Sequence, residues 1–181
     1  PSLNNMDLSL LEKDYVWGTN RCYLLFDRIS WVPQFYIAVD KRVVPDNSDQ
    51  INSLPSQLPG TKFFFPVEFR INNLLQSSNN VYWYDEKPIN LDMSNLPWGT
   101  FTTDASTVVY AVFTVTVAAL QIAVYLGFNP IYLIGCDTSY KRSDTIKIDG
   151  DNKENLISTA SDPDHIDNSY FGKGKGFYEP H

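Results

Sequence analysis

The sequence is poor in the residues that carry the commonest enzyme chemistry. Its 181 residues include two cysteines and two histidines. Cys22 and Cys136 are too few for a disulfide framework, and neither belongs to a CxxC pair, which excludes a zinc knuckle and a thioredoxin-like redox centre. Both read as buried free thiols, a usage that fits the cytoplasm, either free or peripheral at the inner membrane. There is no P-loop and no GxGxxG, so phosphate recognition by either of those glycine-rich turns is excluded. Positive charge is scarce too. The 14 Lys+Arg face 21 Asp+Glu, for a formal charge of −7 and a pI near 4.7. That is the opposite of the basic footprint a general nucleic-acid binder needs. A small anionic ligand, which requires only a local cluster of donors, is not excluded. The opening PSLNNMDLSLLEKD has no basic stretch followed by an apolar one and does not read as a signal peptide.

Charge is missing altogether from residues 105–136, a run long enough to suggest a membrane helix. Thr114, Thr116 and Gln121 interrupt it, Gly127 and Asn129 with Pro130 break it, and no Lys or Arg follows before Lys141. The run is therefore expected to be a core helix, a turn and a buried strand, with no transmembrane segment.

What the chain does have is 43% hydrophobic and 14% aromatic residues, a composition that folds. Its length suits one domain. Short apolar runs at 15–17, 35–39, 62–65, 81–84 and 131–134 are bounded by turn residues and do not alternate cleanly, as expected of strands covered on both faces of a parallel sheet. Helices are expected over residues 7–13, over a segment capped by Asn20 and running through Leu24 to Asp27, and from Thr107 or Thr114 to Gly127. The long helix is rich in Val and Thr and must rely on burial; an extended stretch over 108–113 ahead of a helix from Thr114 is the alternative. Residues 43–59 and 87–103, rich in Pro, Asn and Ser, read as long connections. The expected fold is α/β: a Rossmann-like three-layer sandwich with a mainly parallel sheet, in a single domain spanning residues 1–181. Residues 143–170 hold seven acids and two bases, a net −5 of the total −7. Residues 143–181 therefore read as an acidic, lid-like C-terminal segment.

Open α/β sheets bind ligands beyond the carboxyl ends of their strands. The residues there are Thr19 and Asn20, Asp40, and Gly135 and Asp137 followed by Tyr140. Each has an ordinary alternative: Asn20 as a helix cap, Asp40 as a turn former, Gly135 as a close-packing residue. Thr114 and Thr116 flank a helix start whose backbone donors could face a phosphate, or they simply cap it. In the tail, His165 sits among Asp162, Asp164 and Asp167, carboxylates that could orient it as a base; a solvated loop histidine is the alternative. Gly172, Gly174 and Gly176 alternate with Lys173 and Lys175, a pattern suited to closing over a phosphate or to a plain linker. Asp149, Asp151, Asp162, Asp164 and Asp167 could hold a metal, and DGDNKEN has a passing likeness to a calcium loop without its full ligand pattern.

Taken together, PSL with DLSLL, a strand ending in GTNR, FYIAVD, TVTVAALQIAVYLGFNPIYLIGCDTSY and DHIDNSYFGKGKGFYEP resemble the 6-hydroxymethylpterin diphosphokinase-like family. That family includes archaeal pterin pyrophosphokinases and a domain of motility-associated flagellin glycosyltransferases. The chain is also similar to bacterial lipooligosaccharide sialyltransferases. The resemblance implies nucleotide-contacting roles for Ser2, Asn20, Asp40, Thr114, Val115, Thr116, Gly135, Asp137 and Tyr140, with His165 as general base and Tyr170 beside it. The family usually has a G-x-G turn before PSL, absent here, which implies a chain truncated at its start and leaves truncation at its end open. Where the sialyltransferases carry a Ser in the helix start, this chain has Val115.

Three functions follow from the resemblance. The first is a glycosyltransferase using a nucleotide-activated sugar such as a CMP-sugar, with a glycan or small-molecule acceptor and no obligatory cofactor. The second is diphosphate transfer from ATP to a pterin alcohol, which needs Mg²⁺. The third is a non-catalytic domain of a larger glycan-modifying protein.

Overall fold

Four short runs dominated by aromatic side chains build the central sheet, because flat rings on neighbouring strands stack and exclude water over a large area. In a computed structural model, residues 2–88, 101–111, 114–137, 146–148, 155–159, 167, 169–170, 173–174 and 176–178 are described. Strands β1 (Trp17–Thr19), β2 (Phe35–Ile37), β3 (Lys62–Pro66) and β4 (Val81–Tyr84) form an all-parallel sheet in the order β1-β2-β3-β4. Register sets the ring pairs. Trp17 lies beside Phe35, centroids 4.8 Å apart. Phe64 lies beside Tyr82 at 5.4 Å, Tyr36 beside Phe63 at 5.3 Å and Phe65 beside Trp83 at 5.8 Å.

Parallel neighbours need crossovers, and crossovers of one hand between strands laid down in order must all pass over the same face. That is where the connections lie. The 3₁₀ segment Cys22–Arg28, α1 (Val43–Asp46), α2 (Ser48–Gln57) and α3 (Val67–Ile71) send Tyr23, Phe26, Val44, Ile51, Leu54 and Phe69 onto Tyr36, Phe63 and Phe65. The opposite face, carrying Phe35, Ile37 and Phe64, is covered by α4 (Val115–Tyr125) through Val115, Ala118, Ala119 and Ile122. Period-two alternation along β2 and β3 thus feeds two separate cores. The fold is mixed α/β, with an all-parallel four-stranded sheet and helices compatible with a Rossmann-like arrangement.

Beyond β4 the chain continues into β5 (Glu86–Pro88), which pairs in parallel with β6 (Val109–Ala111). Strands β7 (Ile146–Ile148), β8 (Asn155–Ser158) and β9 (Gly176–Tyr178) form an antiparallel sheet. Among the described residues no helix is long and apolar enough to cross a membrane.

Several expectations need correction. Residues 43–57 are not a connection but carry α1 and α2, because Ile51 and Leu54 are buried against the sheet and override the weak helix propensity of Ser, Asn and Pro55. Asn52 ties α2 to the following segment by accepting from the Gln76 N–H and donating to the Leu74 carbonyl. Strand β1 begins two residues later than expected. The alternative for the uncharged run holds, with an extended β6 and a helix from Val115 capped by Thr114, whose hydroxyl accepts from the Thr116 N–H. Residues 131–134 form no strand. Ile131, Tyr132, Leu133 and Ile134 are 36–84% exposed, because among the described residues no ladder partner pairs with them. Cys136 is exposed with them rather than buried. The described residues of 143–181 include the three antiparallel strands.

Candidate functional site

Asn20 follows β1 with a positive φ of 45°, a conformation asparagine tolerates better than most residues. It does not cap the next helical segment. Its N–H donates to the Ile37 carbonyl at 2.9 Å and its own carbonyl accepts from the Tyr36 hydroxyl, which pins the end of β1 to β2. The Asn20 Oδ1 is buried without a hydrogen-bond partner. One residue on, Arg21 is only 8% exposed. Its Nη1 donates to the Ser169 carbonyl at 2.9 Å, and its Cζ lies 5.3 Å from the centroid of the Tyr170 ring. At the end of β2, Asp40 accepts from the N–H groups of Arg42 and Val43, both at 2.8 Å, and so caps α1.

Asp167, Ser169 and Tyr170 close this edge. Asp167 pairs with Arg28 at 2.8 Å and accepts from the Ser169 N–H and hydroxyl. The Ser169 bonds, then Arg28 and Arg21, hold its carboxyl below the usual range. Burial pushes the phenols of Tyr36 and Tyr170 far up, with Arg21 opposing in both cases. Burial also lifts Tyr23, against the pull of Arg21. Cys22 is enclosed in the same cluster, its thiol pushed up to about 12, which makes it inert as a nucleophile. Further along the edge Lys41 pairs with Glu68 at 2.8 Å, and burial raises Glu86 beside them.

A second group forms around Asp137, whose Oδ2 accepts from the Ser2 N–H at 2.9 Å. The Ser2 bonds lower the Asp137 pKa. Gly135, at φ +65°, packs against Leu3, and a Cβ there would meet the Leu3 side chain at 2.6 Å. The 3₁₀ turn Ser2–Asn5 and residues 135–137 are thus held together across the length of the chain. Thr114 is exposed, while Val115 packs into the α4 core.

The structure therefore brings Asn20, Asp40 and Tyr170 to one edge and joins Ser2 to Asp137 and Gly135 in another place; Thr114, Val115 and Thr116 sit at the start of α4. His165, Tyr140, the DGDNKEN acids, Asp162 and Asp164 lie outside the described residues. Among the described residues no three His, Cys, Asp or Glu side chains are placed to hold a metal ion. Sequence reasoning missed Arg21 and Tyr36. The GTNR motif contained the arginine, but nothing in a lone Arg distinguishes a buried guanidinium from a solvated one.

A concavity of about 430 Å³ lies at the opposite, amino edge of the sheet, lined by Pro55, Gly60, Lys62, Asn80 and Tyr82 among others. Asn80 there donates to the carbonyls of Pro55, Leu58 and Thr61 and is a clasp for the α2–β3 connection. The residues that line the concavity include no acid–base pair. No protein-family model, curated protein or solved structure matches the chain.

Proposed function

We propose that the chain is a nucleotide-dependent transferase with a Rossmann-like, three-layer, single-domain fold, and that it transfers a sugar from a nucleotide donor such as a CMP-sugar to a glycan or small-molecule acceptor in the cytoplasm. The observation that carries this reading is the gathering of Asn20, Arg21, Asp40 and Tyr170 beyond the carboxyl ends of β1 and β2, the edge at which open parallel sheets bind nucleotides. His165, close in sequence to Asp167, Ser169 and Tyr170, is the proposed base that takes the acceptor hydroxyl proton as the anomeric carbon is attacked.

Thermal shift with CMP, CDP and UDP against ATP plus Mg²⁺ tests the reading. Stabilisation by CMP or CDP is expected; stabilisation by ATP and metal alone would replace glycosyl transfer with diphosphate transfer, and no stabilisation by any nucleotide would leave a non-catalytic domain. His165→Ala should keep the CMP shift and lose about 10²- to 10⁴-fold in turnover.

A further inference from the structure

Arg21 is a buried cation, and no carboxylate pairs with it among the described residues. A guanidinium keeps its charge under all physiological conditions, and withdrawing it from water is costly unless a carboxylate or phosphate replaces the lost hydration. Arg21 donates to one neutral carbonyl, that of Ser169, has the neutral Tyr23 hydroxyl within hydrogen-bonding reach, and forms no salt bridge among the described residues. Its Nε is buried without a partner. The groups that face it are phenols: Tyr170 under the guanidinium plane, with Tyr23 and Tyr36 close enough to feel its charge. Burial keeps all three neutral. Of the carboxylates among the described residues, Asp167 is engaged with Arg28 and Ser169, and Asp40 with the N–H groups of Arg42 and Val43. Beside Arg21, the buried Oδ1 of Asn20 is likewise without a partner.

We propose that Arg21 is the receptor for a phosphoryl group, its Nε and one Nη forming the fork that meets two phosphate oxygens, with the Tyr170 ring as the cover and Asn20 Oδ1 accepting from a hydroxyl or amino group of the same ligand. A planar fork matches two oxygens of one phosphate, which a lysine cannot do. The Ser169 carbonyl holds Nη1, on the Cδ side of the guanidinium, whereas Nε and Nη2 form the fork on the other side, so the arriving phosphate adds two charge-assisted bonds and leaves the Ser169 bond in place. The inference rests on the transferase reading only for the identity of the ligand, since the same phosphoryl chemistry is offered by a nucleotide or by free pyrophosphate.

The experiment follows the Arg21 Nε–Hε resonance, assigned through bonds in the wild-type protein, during titration with pyrophosphate, CMP and cytidine. Pyrophosphate and CMP should move it saturably and cytidine should leave it in place. Arg21→Met and Arg21→Lys should each weaken pyrophosphate binding by about 10- to 100-fold, the loss expected for a charge-assisted hydrogen bond. If neither variant folds, the wild-type resonance alone decides. An Arg21 signal unmoved by both pyrophosphate and CMP overturns the proposal, as do equal shifts at Arg28 and Arg70, which would report general screening. CMP binding with Arg21 unmoved removes this inference and leaves the transferase reading standing. Pyrophosphate moving Arg21 while no nucleotide binds does the reverse.

Discussion

Gln121 shows how one side chain can hold a fold together without touching its chemistry. It is fully buried on α4, accepts from the Thr102 and Tyr110 N–H groups at 3.1 Å each, and donates to the Tyr110 carbonyl at 3.0 Å and the Val117 carbonyl at 3.2 Å. Gln121→Leu keeps the volume but leaves half-buried backbone groups of residues 102 and 110 without their amide partner. It should destabilise the protein by about 2–4 kcal/mol in urea unfolding, each buried unpaired group costing about 1–3 kcal/mol; a change within measurement error would show that water replaces the amide. In the sequence Gln121 was legible only as an interruption of an apolar run. Asn20 and Asp40 were legible as polar residues at strand ends, because strand and turn composition are local signals. Arg21 was not, because burial of a charge is decided by residues 148 positions away, where Ser169 meets it.

At the scale of elements, β1 depends on a contact that permits only glycine. A Cβ on Gly18 would stand 2.4 Å from the Cys22 sulfur and 3.1 Å from Pro33 Cγ. Gly18→Ala should therefore cost about 1–3 kcal/mol, the usual penalty for overpacking, and Cys22→Ala in the same chain should recover most of it. Failure of the double variant to recover, measured by thermal unfolding, would assign the strain to Pro33. Elements whose signal is local were legible: β2, β3 and β4 from their apolar runs and α4 from its threonine cap. Those decided by partners were not. Helix α2 is written in poor helix formers and exists because Ile51 and Leu54 have a sheet to cover. Residues 131–134 carry the composition of a buried strand and have no ladder among the described residues. Hydrophobicity announces a preference for burial and leaves open whether a neighbour meets it.

For the whole molecule, burial of phenols makes a pH prediction. Tyr23, Tyr36, Tyr84 and Tyr170 all titrate above the usual 10.0 in the folded state, chiefly through desolvation. A raised folded pKa means that the folded state binds these protons more tightly than the unfolded state. Their contribution is complete below pH 10 and is lost as pH rises toward the folded values. Stability should fall above about pH 10, and in a spectrophotometric titration at 295 nm Tyr36, Tyr84 and Tyr170, three of the 11 tyrosines, should ionise only as the chain unfolds. Ionisation of all 11 ahead of the loss of circular dichroism would contradict the burial described.

The strand order carries a last consequence, for how the molecule comes into being. The central sheet runs β1-β2-β3-β4, so position across it and position along the chain are the same variable. Each strand joins an edge that its predecessor has completed, and none waits for a later segment to be inserted between earlier ones. A sheet of this order can grow strand by strand as the polypeptide leaves the ribosome, its ring pairs closing from the amino end onward. Only the face under α4 must wait, since Val115–Tyr125 is synthesised after all four strands, and until then Phe35, Ile37 and Phe64 are the apolar surface a nascent chain has to shield.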